Sequence, residues 1–326
     1  MGKRNFCRVQ KESGMNRFTT VPYHAGFQHE WDEVVRKSKN GNFLHLRNYM
    51  DYHSHRFNDV SVLIEKSGKT VAAFPANRCG EDIVSHDGLT YGGLIYGTRT
   101  HTTDILEIFY LLVEHYRKTG ACRLVYKPVP HIYHRYPAEE DLYSLFRLGA
   151  VLVRRDIASV VSLQNRIGLS ELRTRSVRKS KEFSLEIREG DFVDRYHALL
   201  TDVLARFHVK PVHSSDELIL LKNRFPNNIR LFGAFLENRL LAGTIVYDFG
   251  HVAHTQYLAN SLADREICAL DAVIFNLIEH VFSQYRYFSF GISTENRGRH
   301  LNEGLIFQKE GFGARGVVHD CYELRL

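Results

Sequence analysis

One order of elements runs through this chain twice. Residues 61–163 and residues 229–326 each pass through a strand hairpin, a third strand, a long amphipathic helix, a fourth strand, a short helix and a final strand. The first passage closes on Leu145-Phe-Arg-Leu-Gly149-Ala-Val-Leu-Val-Arg-Arg-Asp156, the second on Ile306-Phe-Gln-Lys-Glu-Gly311-Phe-Gly-Ala-Arg-Gly-Val-Val-His-Asp320. A repeated α/β unit implies two similar lobes with a cleft between them, and 326 residues suffice for two domains with their own cores. The expected equivalent strands are 91–96 in the first copy and 252–259 in the second.

Local signals fix the elements. Lys66-Ser-Gly68 between 61–65 and 69–74 reads as a hairpin turn. Residues 104–118 place Ile105, Phe109, Leu112 and Tyr116 on one helical stripe, with Thr103 as cap and Gly120 as stop. A short helix follows Pro137, ending at Gly149 before a strand over 151–163. In the second copy, strands over 230–235, 240–249 and 252–259 precede a helix over 267–285 with Leu270, Ile274, Leu277 and Val281 on one face. A strand over 287–292, a helix near 300–310 and a strand over 314–326 complete it.

Between the copies, residues 165–188 carry Arg166, Arg173, Arg175, Arg178, Lys179, Lys181 and Arg188 against Glu171, Glu182 and Glu186. That surplus of four supplies most of the formal charge of +6. Either it is a solvated helix face, or Arg173, Arg175, Arg178 and Lys179 form a ridge that binds phosphates or RNA.

Several chemistries are excluded or unsupported. No Walker loop, GxSxG elbow, Rossmann fingerprint or HExxH helix occurs, and the HxxH pairs His131/His134 and His251/His254 lie in loop or strand contexts, so no metal site is expected. The five cysteines form no CxxC pair and read as buried, reduced thiols of a cytoplasmic protein. No stretch has the roughly 20 apolar residues that span a bilayer, and the first residues lack a signal-peptide core. Met15 reads as an alternative start.

The passages Tyr287-Phe-Ser-Phe-Gly-Ile292 and Gly304-Leu-Ile-Phe-Gln-Lys-Glu-Gly-Phe-Gly313 resemble the FemAB-like branch of the GNAT-fold acyltransferases. They look like that family's strand with a terminal Gly and its GL-spacer-FKxGFG passage, with Lys309 on the family's Lys and Gln308 in place of its Phe. The resemblance covers roughly residue 31 to the end. It implies mixed α/β sheets in two tandem GNAT-like domains, 15–164 and 165–326, the second opening with the basic segment 165–188. It further implies transfer of an acyl or aminoacyl group, from acyl-CoA or aminoacyl-tRNA as co-substrate, to an amine of a cell-envelope glycan or peptidoglycan precursor. No bound cofactor is implied. Partners would be a lipid-linked or UDP-linked precursor and tRNA, with peripheral membrane contact left open. Both donor signatures are imperfect. Where a GNAT protein has its Arg/Gln-x-x-Gly-x-Gly/Ala pyrophosphate loop, this chain reads Asn260-Ser-Leu-Ala-Asp-Arg-Glu-Ile-Cys-Ala269. Two alternatives therefore stay open: a CoA-dependent N-acyltransferase acting on an amino sugar or small amine, and a non-catalytic RNA-binding protein.

Acyl transfer to an amine needs a charge or donor for the developing oxyanion and an exit for the ammonium proton. Lys309 is the candidate for the first and Glu295 for the second, while His254 is a catalytic candidate as part of the strand His254-Thr-Gln-Tyr-Leu258, placed where side chains meet the acyl group. Strand alternation puts His254 and Gln256 on one face and Tyr257 on the other, so one of these faces lines the site. Tyr91, Lys127, His131, Arg154 and Arg155, at or near strand ends of the first copy, are candidates for a phosphorylated acceptor.

Overall fold

A computed structural model describes residues 17–206 and 208–326; Cys7, Met15 and the start of the first unit at 15 lie outside them. Strands Val62–Lys66 and Lys69–Phe74 form the expected hairpin, because Ser67 and Gly68 take the left-handed conformations that a tight two-residue turn demands. Glu237 and Asn238 do the same between Ile229–Leu236 and Arg239–Asp248. The long helix spans Thr102–Lys118 and buries Ile105, Phe109, Leu112 and Tyr116. Its cap is His101, whose main-chain N–H donates to the Asp104 carboxylate, rather than Thr103. The equivalent helix of the second unit covers Ala269–Asn276 and ends in a wider π turn, Leu277–Val281, short of 285. Short helices Glu140–Arg147 and Glu303–Glu310 precede the two final strands, Val151–Ser162 and Arg315–Arg325.

The two units are not closed separately. One eleven-stranded mixed sheet contains strands of both, in the order Glu186–Glu189, Ile229–Leu236, Arg239–Asp248, Val252–Asn260, Tyr287–Ile292, Val151–Ser162, Arg315–Arg325, Arg123–Tyr126, Asp82–Val84, Asn77–Cys79, Asn58–Asp59. The final strands are exchanged. That of the first unit pairs with Tyr287–Ile292 of the second, and that of the second pairs with Arg123–Tyr126 of the first. Between them runs a ladder from Arg315 opposite Val160 to Glu323 opposite Val151. Outside this central pair the pattern repeats: Val252–His254 runs parallel to Tyr287–Ser289, and Asp82–Val84 runs parallel to Arg123–Val125. A pseudo-twofold axis therefore passes between the exchanged strands.

The first copy departs from the expected strand 91–96. Only Ile95–Tyr96 pairs, with Ala72 and Ala73 of a separate four-stranded sheet, while Asp82–Val84 supplies the other end of the equivalent strand. The loop between them is drawn inward: Gly92 donates to Lys127 O and sits so close to Ser85 O that any side chain there would collide with it.

Helices Val193–Ala205 and Ser215–Arg224 pack with the N-terminal segment 28–56 on one face of the second unit's sheet. An aromatic core joins the two units there, including Phe43, Tyr49, Tyr91, Tyr133, Phe225 and Tyr247. Each unit has a further core of its own. Against expectation, Cys79 and Cys122 are exposed, since both flank turns; of the described cysteines Cys268 is half-buried and only Cys321 is buried.

Candidate functional site

The parallel pair Val252–His254 and Tyr287–Ser289 separates immediately beyond these residues. On one strand, Ile245 pairs with Tyr257 and Val246 with Thr255, leaving Gln256 as a bulge. One extra residue reverses the alternation. His254, opposite Tyr247, and Tyr257, opposite Ile245, thus share the face that carries the aromatic inter-unit core, contrary to the expected separation of His254 from Tyr257.

On the other strand, Gly291 has φ of +69°, and a Cβ there would come within 3.1 Å of His254 Cε1. Both the left-handed backbone and the imidazole require glycine at this point. Main-chain carbonyls at this strand end receive Lys309. Its side chain is 4% exposed, and Nζ donates to Gly291 O at 3.1 Å and Ile292 O at 2.7 Å. Burial pushes the ammonium down to about 8. An ammonium has three N–H donors; two have these acceptors, and the charge sits beside the imidazole.

His254 Nδ1 lies 3.1 Å from Tyr133 Oη and 3.1 Å from Ser289 Oγ, while Nε2 has no hydrogen-bond partner among the described residues. Burial, then the charges of His319 and Lys309, push His254 down to about 3, so it is neutral at pH 7. Tyr133 comes from the first unit, on the turn His131–Tyr133, which makes this a contact between units. His319, on the exchanged strand, stands in register with Asp156 and is pushed down to about 4 by burial. Its Nε2 is buried with no hydrogen-bond partner among the described residues. Asp156 accepts from Thr294 Oγ1 at 2.7 Å and Arg154 Nε at 2.6 Å.

The structure thus brings Lys309 and His254 together and adds Tyr133, Ser289 and His319. Tyr91 packs its ring 4.9 Å from Tyr133, but it is buried and its hydroxyl accepts from Asn42 Nδ2. Glu295 stands apart, exposed in the two-residue ladder Thr294–Glu295 with His300–Leu301, where it accepts from Asn302 Nδ2 at 2.9 Å. Asn302 caps the following helix. Lys127 donates to His86 O and Leu89 O at 2.9 and 2.8 Å and is also lowered to about 8 by burial. His131 is exposed, and Arg155 forms a two-point pair with Asp320. Tyr257 Oη lies 2.7 Å from His213 Nδ1, and Gln256 occupies the bulge.

Within the basic segment the helix is Glu171–Ser180, and residues 186–189 are a strand. Arg173 is committed to Asp271 at 2.6 Å and lies over the Phe312 ring, and Arg166 pairs with Glu279. Arg175, Arg178 and Lys179 are exposed. Among the described residues no group of three or more His, Cys, Asp or Glu is arranged to hold a metal ion, and no helix is long and apolar enough to cross a membrane.

Of the residues the sequence did not single out, Ser289 had a signal, as a hydroxyl between Phe288 and Phe290 in a buried strand. Tyr133 and His319 had none, because their partners lie far away in sequence.

No family model matches the chain, and neither does any curated protein. Solved structures do. FemX superposes with a TM-score of 0.66 at 10% identity, over 93% of this chain and 96% of that one. L-PGS from Bacillus licheniformis gives 0.61 at 12% identity, over 90% of each chain. The C-terminal DUF2156 domain of a putative lysylphosphatidylglycerol synthetase from Agrobacterium fabrum gives 0.60 at 12% identity, over 92% of this chain and 91% of that one. The chain is an α/β protein of two similar units, and it shares its fold with these three proteins over nearly its whole length.

Proposed function

We propose that this protein is an acyltransferase that moves an acyl or aminoacyl group to an amine of a cell-envelope glycan or peptidoglycan precursor. The observation that carries the reading is the Lys309 ammonium held at the parting of two parallel strands beside the neutral imidazole of His254. The fold it shares with FemX, with L-PGS and with a domain of a protein named as a lysylphosphatidylglycerol synthetase supports the same reading.

In the proposed reaction the acceptor nitrogen attacks the carbonyl carbon of the donor ester or thioester, and the carbon–oxygen or carbon–sulfur bond then breaks. Charge accumulates on the carbonyl oxygen and the leaving atom, where a buried ammonium stabilises it far better than water does. Lys309 takes that role. A residue as hard to protonate as His254 stores no proton, so its part is to orient the substrate through Nε2. The ammonium proton of the adduct leaves to water, with Glu295 as an exposed acceptor near the strand end. Tyr91, Lys127, His131, Arg154, Gln256 and Tyr257 remain the acceptor-side candidates.

The reading retains units 15–164 and 165–326, a cytoplasmic protein, and aminoacyl-tRNA or acyl-CoA as donor. Arg175, Arg178 and Lys179 are the tRNA contacts in the first case. The glycine-free run 260–269 favours the tRNA donor over CoA, because it lacks the flexible loop that presents main-chain N–H groups to a pyrophosphate. Thermal-shift and filter-binding comparisons of aminoacyl-tRNAs, acyl-CoAs and UDP-linked envelope precursors test it. Binding of one donor class and one precursor is expected. Binding of RNA, charged or uncharged alike, with no response to any precursor would instead favour an RNA-binding protein.

A further inference from the structure

We propose a second ligand site, in the crevice between the N-terminal helical segment and the second unit, for a small anion carried on a flat apolar ring. The crevice encloses about 200 Å³, below the roughly 300–1,000 Å³ of sites for drug-sized ligands and so suited to one ring-sized group. Phe43 and Phe249 stack at its floor, with centroids 5.1 Å apart and planes 28° apart. Arg36 and Arg135 supply its charge, and no carboxylate lines it.

The polar lining separates into two kinds. Asn42 and Asn228 are structural: their amide groups donate to Tyr91 Oη at 3.1 Å and Asp248 O at 2.8 Å. The guanidinium groups are not used up. Arg135 donates to the main-chain oxygen of Arg36, and Arg36 reaches Asp32 only at 3.5 Å. Each guanidinium has five N–H donors in a planar fork that matches a carboxylate or phosphate. Two such forks, only one of them partly offset by a carboxylate, Asp32 beside Arg36, attract an anion, and the stacked floor adds a preference for a flat body over a bare ion. The site also touches the other one. Phe249 packs edge-on against Tyr133 at 5.1 Å, and Tyr133 holds His254.

This inference does not depend on acyl transfer, and its test uses binding alone. Isothermal titration of the whole protein with phenyl phosphate, benzoate, inorganic phosphate and benzyl alcohol is the experiment. One of the two ring anions should bind one to one, at least about tenfold more tightly than inorganic phosphate or benzyl alcohol. The tighter ring anion identifies the headgroup, phosphate or carboxylate. Arg36→Gln with Arg135→Gln should weaken it by at least about 100-fold, since both charge-assisted donor forks are lost together. Arg36→Lys with Arg135→Lys keeps the charge and should recover part of the binding, which separates recognition from misfolding. Equal affinity in the Gln pair, binding of inorganic phosphate as tight as the ring anions, or no heat from either ring anion at millimolar concentration would overturn the proposal.

Discussion

Lys309→Met removes the charge at the centre of the proposed chemistry while nearly keeping the side chain's length and apolar stem. In the folded protein the ammonium is held at about 8 against an ordinary 10.5, a burial cost of about 3 kcal/mol below pH 8. Methionine abolishes that cost. It also abolishes two hydrogen bonds to main-chain carbonyls and leaves Gly291 O and Ile292 O without Nζ, a loss of about 1–3 kcal/mol for each group. The terms oppose, so net stability should change by no more than about 2 kcal/mol, read as a shift of a few degrees in the thermal midpoint. Activity should not be balanced in this way. Losing one positioned charge in a desolvated site costs on the order of 100-fold in kcat, about 3 kcal/mol of barrier, with KM little changed. A pH profile adds a second reading. A role that needs the ammonium is fully present well below pH 8 and is lost as pH rises through about 8, and the variant should lack that inflection. A folded Lys309→Met protein with ordinary kcat would refute the assignment.

Gly291→Ala places a Cβ in left-handed backbone and within 3.1 Å of His254; about 1–3 kcal/mol of stability should be lost, with an altered His254 resonance by NMR. Unchanged stability and spectrum would mean that the strand end is not constrained as described. Neutralising Arg175, Arg178 and Lys179 to Gln should weaken tRNA binding and reduce the slope of log K against log salt by about 2, at roughly 0.7 per contact for single-stranded RNA, whereas an unchanged slope would make the ridge a solvated face. His45, His134, His213 and His319 are lowered by burial to about 4, and His86 and His254 to about 3. Between those values and 6.5 the unfolded chain binds more protons, so stability should be complete above pH 6.5 and fall steeply as pH drops toward 4. Asp141, raised to about 7 by burial, acts in the opposite sense and offsets part of this. Denaturant titrations at stepped pH read the slope; a flat profile from pH 7 to 5 would contradict the buried neutral imidazoles.

What could be read from the sequence was local. The Ser67-Gly68 turn, the stripe from Ile105 to Tyr116 and the order of elements in the second copy depend on residues close in sequence, and the structure has them, whereas the strand expected over 91–96 of the first copy shrinks to Ile95–Tyr96. Pairing partners were another matter. Val151–Ser162 and Arg315–Arg325 are equivalent strands with similar patterning, so nothing local says which unit each one joins, and the exchange is settled by packing across the axis. The bulge at Gln256 shows the same limit on a smaller scale, because an extra residue leaves no mark on an alternating strand yet moves Tyr257 to the face of His254. At the candidate site, Lys309 stands out by its motif and His254 by its strand, but Tyr133 reaches His254 from 121 residues away. Glu295 follows a buried strand in sequence, but a short ladder holds it to Asn302, in solvent.

The central claim is transfer to an amine, and it is most directly tested by single-turnover incubation of the purified protein with aminoacyl-tRNA or acyl-CoA and a UDP-linked or lipid-linked envelope precursor, followed by mass spectrometry of the acceptor. The expected product is a precursor heavier by one acyl or aminoacyl group through an amide bond, formed with the wild type and on the order of 100-fold more slowly with Lys309→Met. Donor and precursor both shown to bind, with no amide formed on any amine offered, would contradict it.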